Sequence, residues 1–339
     1  MSSSFSPGSW EHLFATPYSH SASITVEGLK SGELPEVSSL TFKSCRKLLE
    51  KAIEGLQDNG DVLALVARAD GRPVGLVLAD TMQPRDEGTG TGQKGLLLRS
   101  VFINLLWQHK GIGKLLMAAL ETAARDSGYL SIRTEYTPKL DSFEVFERLL
   151  ASAGWGSPQQ FMEESLSWVK DMADADWLKR VPQLPMEYGL IAFDQLTDAD
   201  REDLQVRLQA GDIPQGLSPF AEEEHLVPEL SVGLRHDRKI VAWMSLLRSQ
   251  VVPDALCYRS LYVDPALRTA NGLGPIVVAE AFRRHAASPI AEERPKGIFN
   301  THHTATKQMN FVRKRLLPCC FETYALRSSR LDLQQSSSA

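Results

Sequence analysis

Seven consecutive residues, Gln108-His109-Lys110-Gly111-Ile112-Gly113-Lys114, combine two glycines, two lysines and a histidine between two regular segments. An apolar, strand-like run from Leu96 to Ile103 leads into them, and an amphipathic helical pattern follows. Glycine lets a chain turn sharply and lets backbone approach a ligand closely. The first N–H groups of a helix have no intrahelical acceptor, and the macrodipole places partial positive charge on them. Such a helix start suits a diphosphate. Lys110 and Lys114 add charge to it and His109 adds a donor. A dinucleotide fingerprint fits less well, because Leu116 stands where its third glycine belongs, and the Walker spacing is absent. A glycine-started helix packed on a sheet without a ligand is the plainer alternative.

The pattern Q-x-x-G-x-G followed by a basic residue resembles the acyl-CoA pyrophosphate loop of the GNAT superfamily of N-acetyltransferases. Ile103-Asn104-Leu105-Leu106-Trp107-Gln108 fits that family's V-x-P-x-x-Q/R lead-in, with Leu105 in the proline place. The resemblance implies that Gln108 to Lys114 hold the pyrophosphate. It also implies that backbone N–H groups of Val101, Phe102 and Ile103 face the thioester carbonyl. The cosubstrate would be acetyl-CoA or another acyl-CoA, with no metal, and the acceptor a small amine or a peptide amine. Many members place a tyrosine acid in the helix after the fifth strand, where this chain has Phe146. Tyr136 is the nearest substitute in sequence, and Glu135 is the candidate base. Each also reads as an ordinary strand residue. Asp141 and Glu144 read as solvated or capping, and His302 and His303 as a base in the second copy or as helix-start or loop residues.

The elements that must position these groups are legible from periodicity. Strands are expected at Ile24–Leu29, Val62–Arg68, Pro73–Ala79, Leu97–Ile103 and Leu130–Tyr136, with a hairpin through Asp70-Gly71. Helices are expected over Glu36–Leu56, from Ile112 to a stop at Gly128, and over Phe143–Ala151. A polar, glycine-rich loop spans Gln83 to Gln93.

The scheme then repeats, with strands at Tyr188–Phe193, Leu230–Arg235, Ile240–Arg248, Gly297–Asn300 and Phe321–Leu326. Helices start at Thr197, Pro275 and Ala305. Val263-Asp264-Pro265-Ala266-Leu267-Arg268 fits the lead-in better than the first copy does. Gly272-Leu273-Gly274 follows, one residue later than in the first copy, and Pro275 takes the place of Lys114. Proline has no N–H to give a phosphate. The first copy is therefore expected to hold the cosubstrate, and the second to be a degenerate copy beside the acceptor cleft. The fold class read here is α+β: two tandem GNAT-like domains, each a mixed, mostly antiparallel sheet flanked by helices. Their bounds are 21–170 and 188–330, with a loose arm at 1–20, a linker at 171–187 and a disordered tail at 331–339.

At 339 residues the chain has room for two such domains. A net charge of −5 argues against nucleic acid as a partner, and no apolar run is long enough for a membrane span. The start lacks a basic-then-apolar secretion pattern. Cys45, Cys257, Cys319 and Cys320 form neither a C-x-x-C pair nor a zinc spacing, so a cytoplasmic protein with free thiols is expected. The reading is an acyl-CoA-dependent N-acyltransferase working by direct attack in a ternary complex. The alternatives are transfer of longer acyl chains to a lysine- or ornithine-like amine of a peptide, and a non-catalytic CoA-binding protein. The sequence leaves the oligomeric state open.

Overall fold

The computed structural model describes residues 23–54, 61–82, 94–268 and 272–333. The N-terminal arm and the Gln83–Gln93 loop lie outside them.

The first half runs β1 (Ile24–Gly28), α1 (Leu34–Val37), α2 (Arg46–Glu54), β2 (Val62–Ala69), β3 (Arg72–Thr81), β4 (Gly95–Ile103), α3 (Ile112–Asp126), β5 (Ser131–Tyr136), α4 (Phe143–Ser152) and β6 (Gln159–Trp168). After α5 (Val169–Ala173) the second half runs β7 (Tyr188–Ala192), α6 (Asp198–Gln209), β8 (Val232–His236), β9 (Lys239–Arg248), β10 (Ala255–Val263), α7 (Leu273–Ala287), α8 (Ile290–Glu293), β11 (Lys296–His302), α9 (Thr306–Arg315) and β12 (Cys320–Asp332).

Local chemistry explains most of these bounds. Asp70 and Gly71, both with positive φ, make the β2–β3 turn. Thr197 and Asp200 cap α6 reciprocally: Asp200 N–H donates to Thr197 Oγ1 and Thr197 N–H to Asp200 Oδ2. The helix expected over Glu36–Leu56 is broken. Thr41 and Phe42 are extended, and two 3-10 turns separate α1 from α2. Serines 38 and 39 and Thr41 compete with helical hydrogen bonding there.

The two halves do not keep separate sheets. Twelve strands form one sheet in the order β1-β2-β3-β4-β5-β12-β6-β11-β10-β9-β8-β7. Neighbours run antiparallel except β4–β5 and β10–β11. The last strand of each half crosses over. β12 pairs with β5 of the first half, and β6 pairs with β11 of the second. β6 was not foreseen, and β12 runs on past its expected end at Leu326. Leu331 and Asp332, expected in a disordered tail, pair with Ile132 and Ser131. The linker is not loose either: Trp177 and Leu178 are buried in the second core.

On one face of the sheet α3 covers the first half, burying Leu116, Leu120 and Ala124, and α7 covers the second, burying Val277 and Phe282. On the opposite face α1 and α2 cover Val66, Leu76 and Leu78, and α6 covers Trp243 and Tyr262. Strand alternation carries each residue's face across the ladder. Glu135, Tyr324, Glu164 and Asn300 lie on the α1/α2/α6 face.

Candidate functional site

The site is built where β4 and β5 part. Their parallel pairing runs from Gly95↔Ser131 to Leu98↔Thr134 and stops. Thr134 Oγ1 donates to Leu98 O at 3.2 Å at the branch point. Beyond it, Ser100 to Ile103 pair only with β3. A bulge causes the divergence. Ser100 sits opposite Leu78 and Leu98 opposite Ala79, so Arg99 is the extra residue. Asp80 holds the Arg99 guanidinium by two hydrogen bonds, 2.6 and 3.0 Å. Val101, Phe102 and Ile103 therefore line the open side of the cleft.

The loop after β4 is braced at both ends. Asn104 N–H donates to Val74 O at 2.8 Å, and Asn104 Oδ1 accepts from Leu106 N–H at 3.1 Å, which starts a 3-10 turn. Gln108 Nε2 donates back to Ile103 O at 3.1 Å. His109 (φ +60) and Gly111 (φ +81) both turn through the left-handed region. The first helical bond of α3 is Leu115 N–H to Gly111 O. The N–H groups of Ile112, Gly113 and Lys114 have no acceptor among the described residues. The two glycines do different work. Gly111 supplies the left-handed turn. Gly113 lets α3 approach α4, since a Cβ there would stand 3.2 Å from Leu149 Cδ1. His109, Lys110 and Lys114 are exposed, and Lys110 Nζ rests 4.4 Å from the Trp107 ring centre.

Glu135 and Tyr136 are not brought together, because adjacent strand residues point to opposite faces. Glu135 is half-buried, 3.3 Å from Arg133, on the face that carries Arg99 and Asp80. Tyr136 is buried with Phe143 and Phe146, and its hydroxyl donates to Glu147 Oε1 at 3.0 Å. Arg327, brought in by β12, donates to the same oxygen at 2.9 Å. Burial, then the bond to Glu147, raises the Tyr136 hydroxyl well above its usual range. Asp141 is exposed, and Glu144 lies in the first turn of α4 beside Arg148. Sequence reading missed Arg99 and Asp80. The available signal was a lone cation inside an apolar strand.

The second half repeats the frame in detail. Arg259 is the bulge residue of β10, held by Glu222 at 3.3 Å. Asp264 N–H donates to Val241 O, Asp264 Oδ1 accepts from Ala266 N–H, and Arg268 Nε donates to Val263 O, as Asn104 and Gln108 do in the first half. The differences lie at the helix start and at the branch point. Pro275 removes one free N–H in the first turn of α7. Pro182 of the linker stands 3.4 Å from where a Gly272 Cβ would be. At the branch point Tyr258 and Phe299 stack at 4.9 Å where the first half has Leu98 and Thr134, and the cavity left there is about 30 Å³. Tyr258 donates to His285 Nδ1, and His285 Nε2 to Arg294 O, so this histidine is a buried, neutral core group, its pKa lowered by desolvation. His302 and His303 follow at the end of β11, and His302 Nδ1 lies 2.7 Å from Thr304 Oγ1.

Residues 35–150 match the model of the Acetyltransferase (GNAT) family. This segment is a GNAT domain. The described residues fold as two GNAT-like domains in tandem. The chain superposes on a tandem GNAT protein from the clavulanic acid biosynthesis pathway with TM-score 0.61 and 13% identity, over 92% of this chain and 99% of that one. A GCN5-related glucosamine N-acetyltransferase region of a fungal multi-domain GH3 β-N-acetylglucosaminidase gives TM-score 0.61 and 14% identity over 91% of this chain, which spans 38% of that protein. A probable N-acyltransferase of Enterococcus faecalis V583 gives TM-score 0.57 and 11% identity over 93% of this chain and 73% of that one. At these identities the likeness is one of fold. No curated protein matches the chain in sequence. Among the described residues, no helix is long and apolar enough to cross a membrane.

Proposed function

We propose that this protein is an acyl-CoA-dependent N-acyltransferase, with acetyl-CoA as default donor and a primary amine as acceptor. The observation that carries the reading is the run of free N–H groups at Ile112, Gly113 and Lys114, placed directly after a strand that has parted from its neighbour. That start of α3 binds the pyrophosphate, with Lys110 and Lys114 adding charge and His109 a donor. The pantetheine arm lies between β4 and β5 and pairs with the backbone of Val101 to Ile103. An N–H on that edge polarises the thioester carbonyl.

A neutral amine attacks the thioester carbon directly, and the C–S bond breaks to release CoA. Glu135 takes the ammonium proton, through water, from the face that carries Arg99 and Asp80. Protonation of the thiolate is left to water. Tyr136 we assign to the scaffold, because its hydroxyl is committed to Glu147. The second half binds no CoA in this reading. Pro275, Pro182 and the Tyr258–Phe299 stack support that assignment.

The test is thiol release from acetyl-CoA across a panel of amines, with product mass measured. Release above the hydrolysis rate, with the acyl group on nitrogen, supports the reading. A protein that binds acetyl-CoA and turns over none of the panel is instead a CoA-binding module. The open branch point does not fix the acyl length, so octanoyl- and palmitoyl-CoA belong in the same panel.

A further inference from the structure

The helix α4 is held from two sides. Phe143 and Glu147 are four residues apart, so they share one flank of it. Leu149 is two positions past Glu147, about 200° further round, on the opposite flank. Arg327 of β12 serves the first flank. Its guanidinium lies 5.0 Å from the Phe143 ring centre, and its Nη1 donates to Glu147 Oε1 at 2.9 Å. Both charged side chains are half-buried. Ser142, at the cap position of α4, makes no side-chain cap bond, so the first turn depends on contacts of this kind.

On the other flank, Leu149 packs on the first turn of α3. A Cβ added to Gly113 would stand 3.2 Å from Leu149 Cδ1 and 3.4 Å from Leu149 Cδ2. That turn carries the free N–H groups of Ile112, Gly113 and Lys114. Close-packed interiors transmit small displacements, because they hold no slack to absorb them. A sideways shift of α4 away from β12 therefore presses Leu149 against Gly113.

The second half lacks this fastening. By the ladder registers, Thr301 stands where Tyr136 stands in the first half, and its partner on the crossing strand is Glu163 where the first half has Arg327. Glu163 Oε1 is buried without a partner among the described residues. The arginine thus belongs to the half whose helix start is free of proline.

We infer that Arg327, delivered by the strand that crosses from the second half, is a positioning residue for the pyrophosphate loop. It fixes α4 through Phe143 and Glu147, and α4 fixes the start of α3 through Leu149. This rests on the reading of that helix start as the donor site. The second half, which binds no CoA in that reading, thereby sets how well the first half does.

Calorimetry of acetyl-CoA binding tests this, run on the full chain well below its melting transition. Arg327→Met keeps the length and loses the charge, and is expected to weaken binding about tenfold. Arg327→Lys, which can still pair with Glu147, is expected to stay within about threefold of the unmodified chain. Glu147→Gln is expected to weaken binding as Arg327→Met does, and the double variant no more than either alone, because both break one link. If Arg327→Met does not fold, Glu147→Gln carries the same comparison. A clamp that serves stability alone lowers the melting temperature and leaves the affinity of the folded chain unchanged, which overturns the inference. So do losses that add in the double variant. An unmodified chain that binds no acetyl-CoA removes the donor reading and the inference together. One that binds it, and is matched by both Arg327→Met and Glu147→Gln, removes the inference alone.

Discussion

At the scale of residues, the glycine loop was legible because its chemistry is local. Gly111 is the left-handed residue that a helix entered this way requires, and the free amides follow from any helix start. What the sequence hid was direction. Glu135 and Tyr136 look alike as neighbours on the strand beside β4, yet alternation sends one to the α1/α2/α6 face and the other into the core. Only the structure shows that the tyrosine's hydroxyl has an acceptor. Tyr136→Phe is therefore expected to lower stability by about 1 kcal/mol, the worth of one hydrogen bond, and to leave kcat within about threefold. Urea melts and steady-state kinetics check this. A hundredfold fall in kcat without loss of fold would make Tyr136 the acid. Glu135→Gln is expected to lower kcat by on the order of a hundredfold or more at neutral pH, with acetyl-CoA affinity retained. Activity that survives this substitution puts the base elsewhere.

At the scale of elements, the repeat of strands and helices was readable, and the two crossing strands were not. Gln159–Trp168 holds adjacent glutamates and no clean alternation, so its periodicity does not mark a strand. The end of β12 reads as the start of a disordered tail. Its polar side chains are bonded to the first half instead: Arg327 donates to Glu147, and Ser329 to Gly156 O. Pairing between segments some 190 residues apart leaves no local trace in either. The exchange has a mechanical consequence. Ending the chain after Pro318 removes the partner of β5, exposes both of its neighbours' edges and strips Glu147 of Arg327. Such a chain is expected to lose its cooperative unfolding transition and its acetyl-CoA binding together, although the phosphate loop is untouched. Circular dichroism melts and calorimetry read both. A first half that folds and binds normally without β12 would show that the exchange is dispensable.

At the scale of the molecule, one sheet runs through two copies of a fold, and the copies have diverged where a ligand would sit. Several buried groups couple the whole to pH. Burial raises the hydroxyls of Tyr136, Tyr258 and Tyr324 well above the usual tyrosine range, and glutamates that accept from Tyr136 and Tyr324 add to it. A group whose native pKa is raised contributes stability that is complete below its unfolded pKa, about 10 for tyrosine, and is lost as pH rises beyond it. The urea midpoint is thus expected to fall above about pH 10. The tyrosinate absorbance of these three residues should appear with unfolding and not before. Their ionisation in the folded protein would contradict the burial.

The central claim is that one loop, the first, grips the donor. Calorimetric titration with acetyl-CoA measures it directly, together with two substitutions that leave the glycine packing alone. One equivalent of acetyl-CoA per chain is expected. Lys114→Glu, which replaces a charge-assisted contact by repulsion, is expected to weaken binding by on the order of a hundredfold, and Pro275→Glu to leave it unchanged. Two equivalents per chain, or binding that survives Lys114→Glu and is lost in Pro275→Glu, would contradict it.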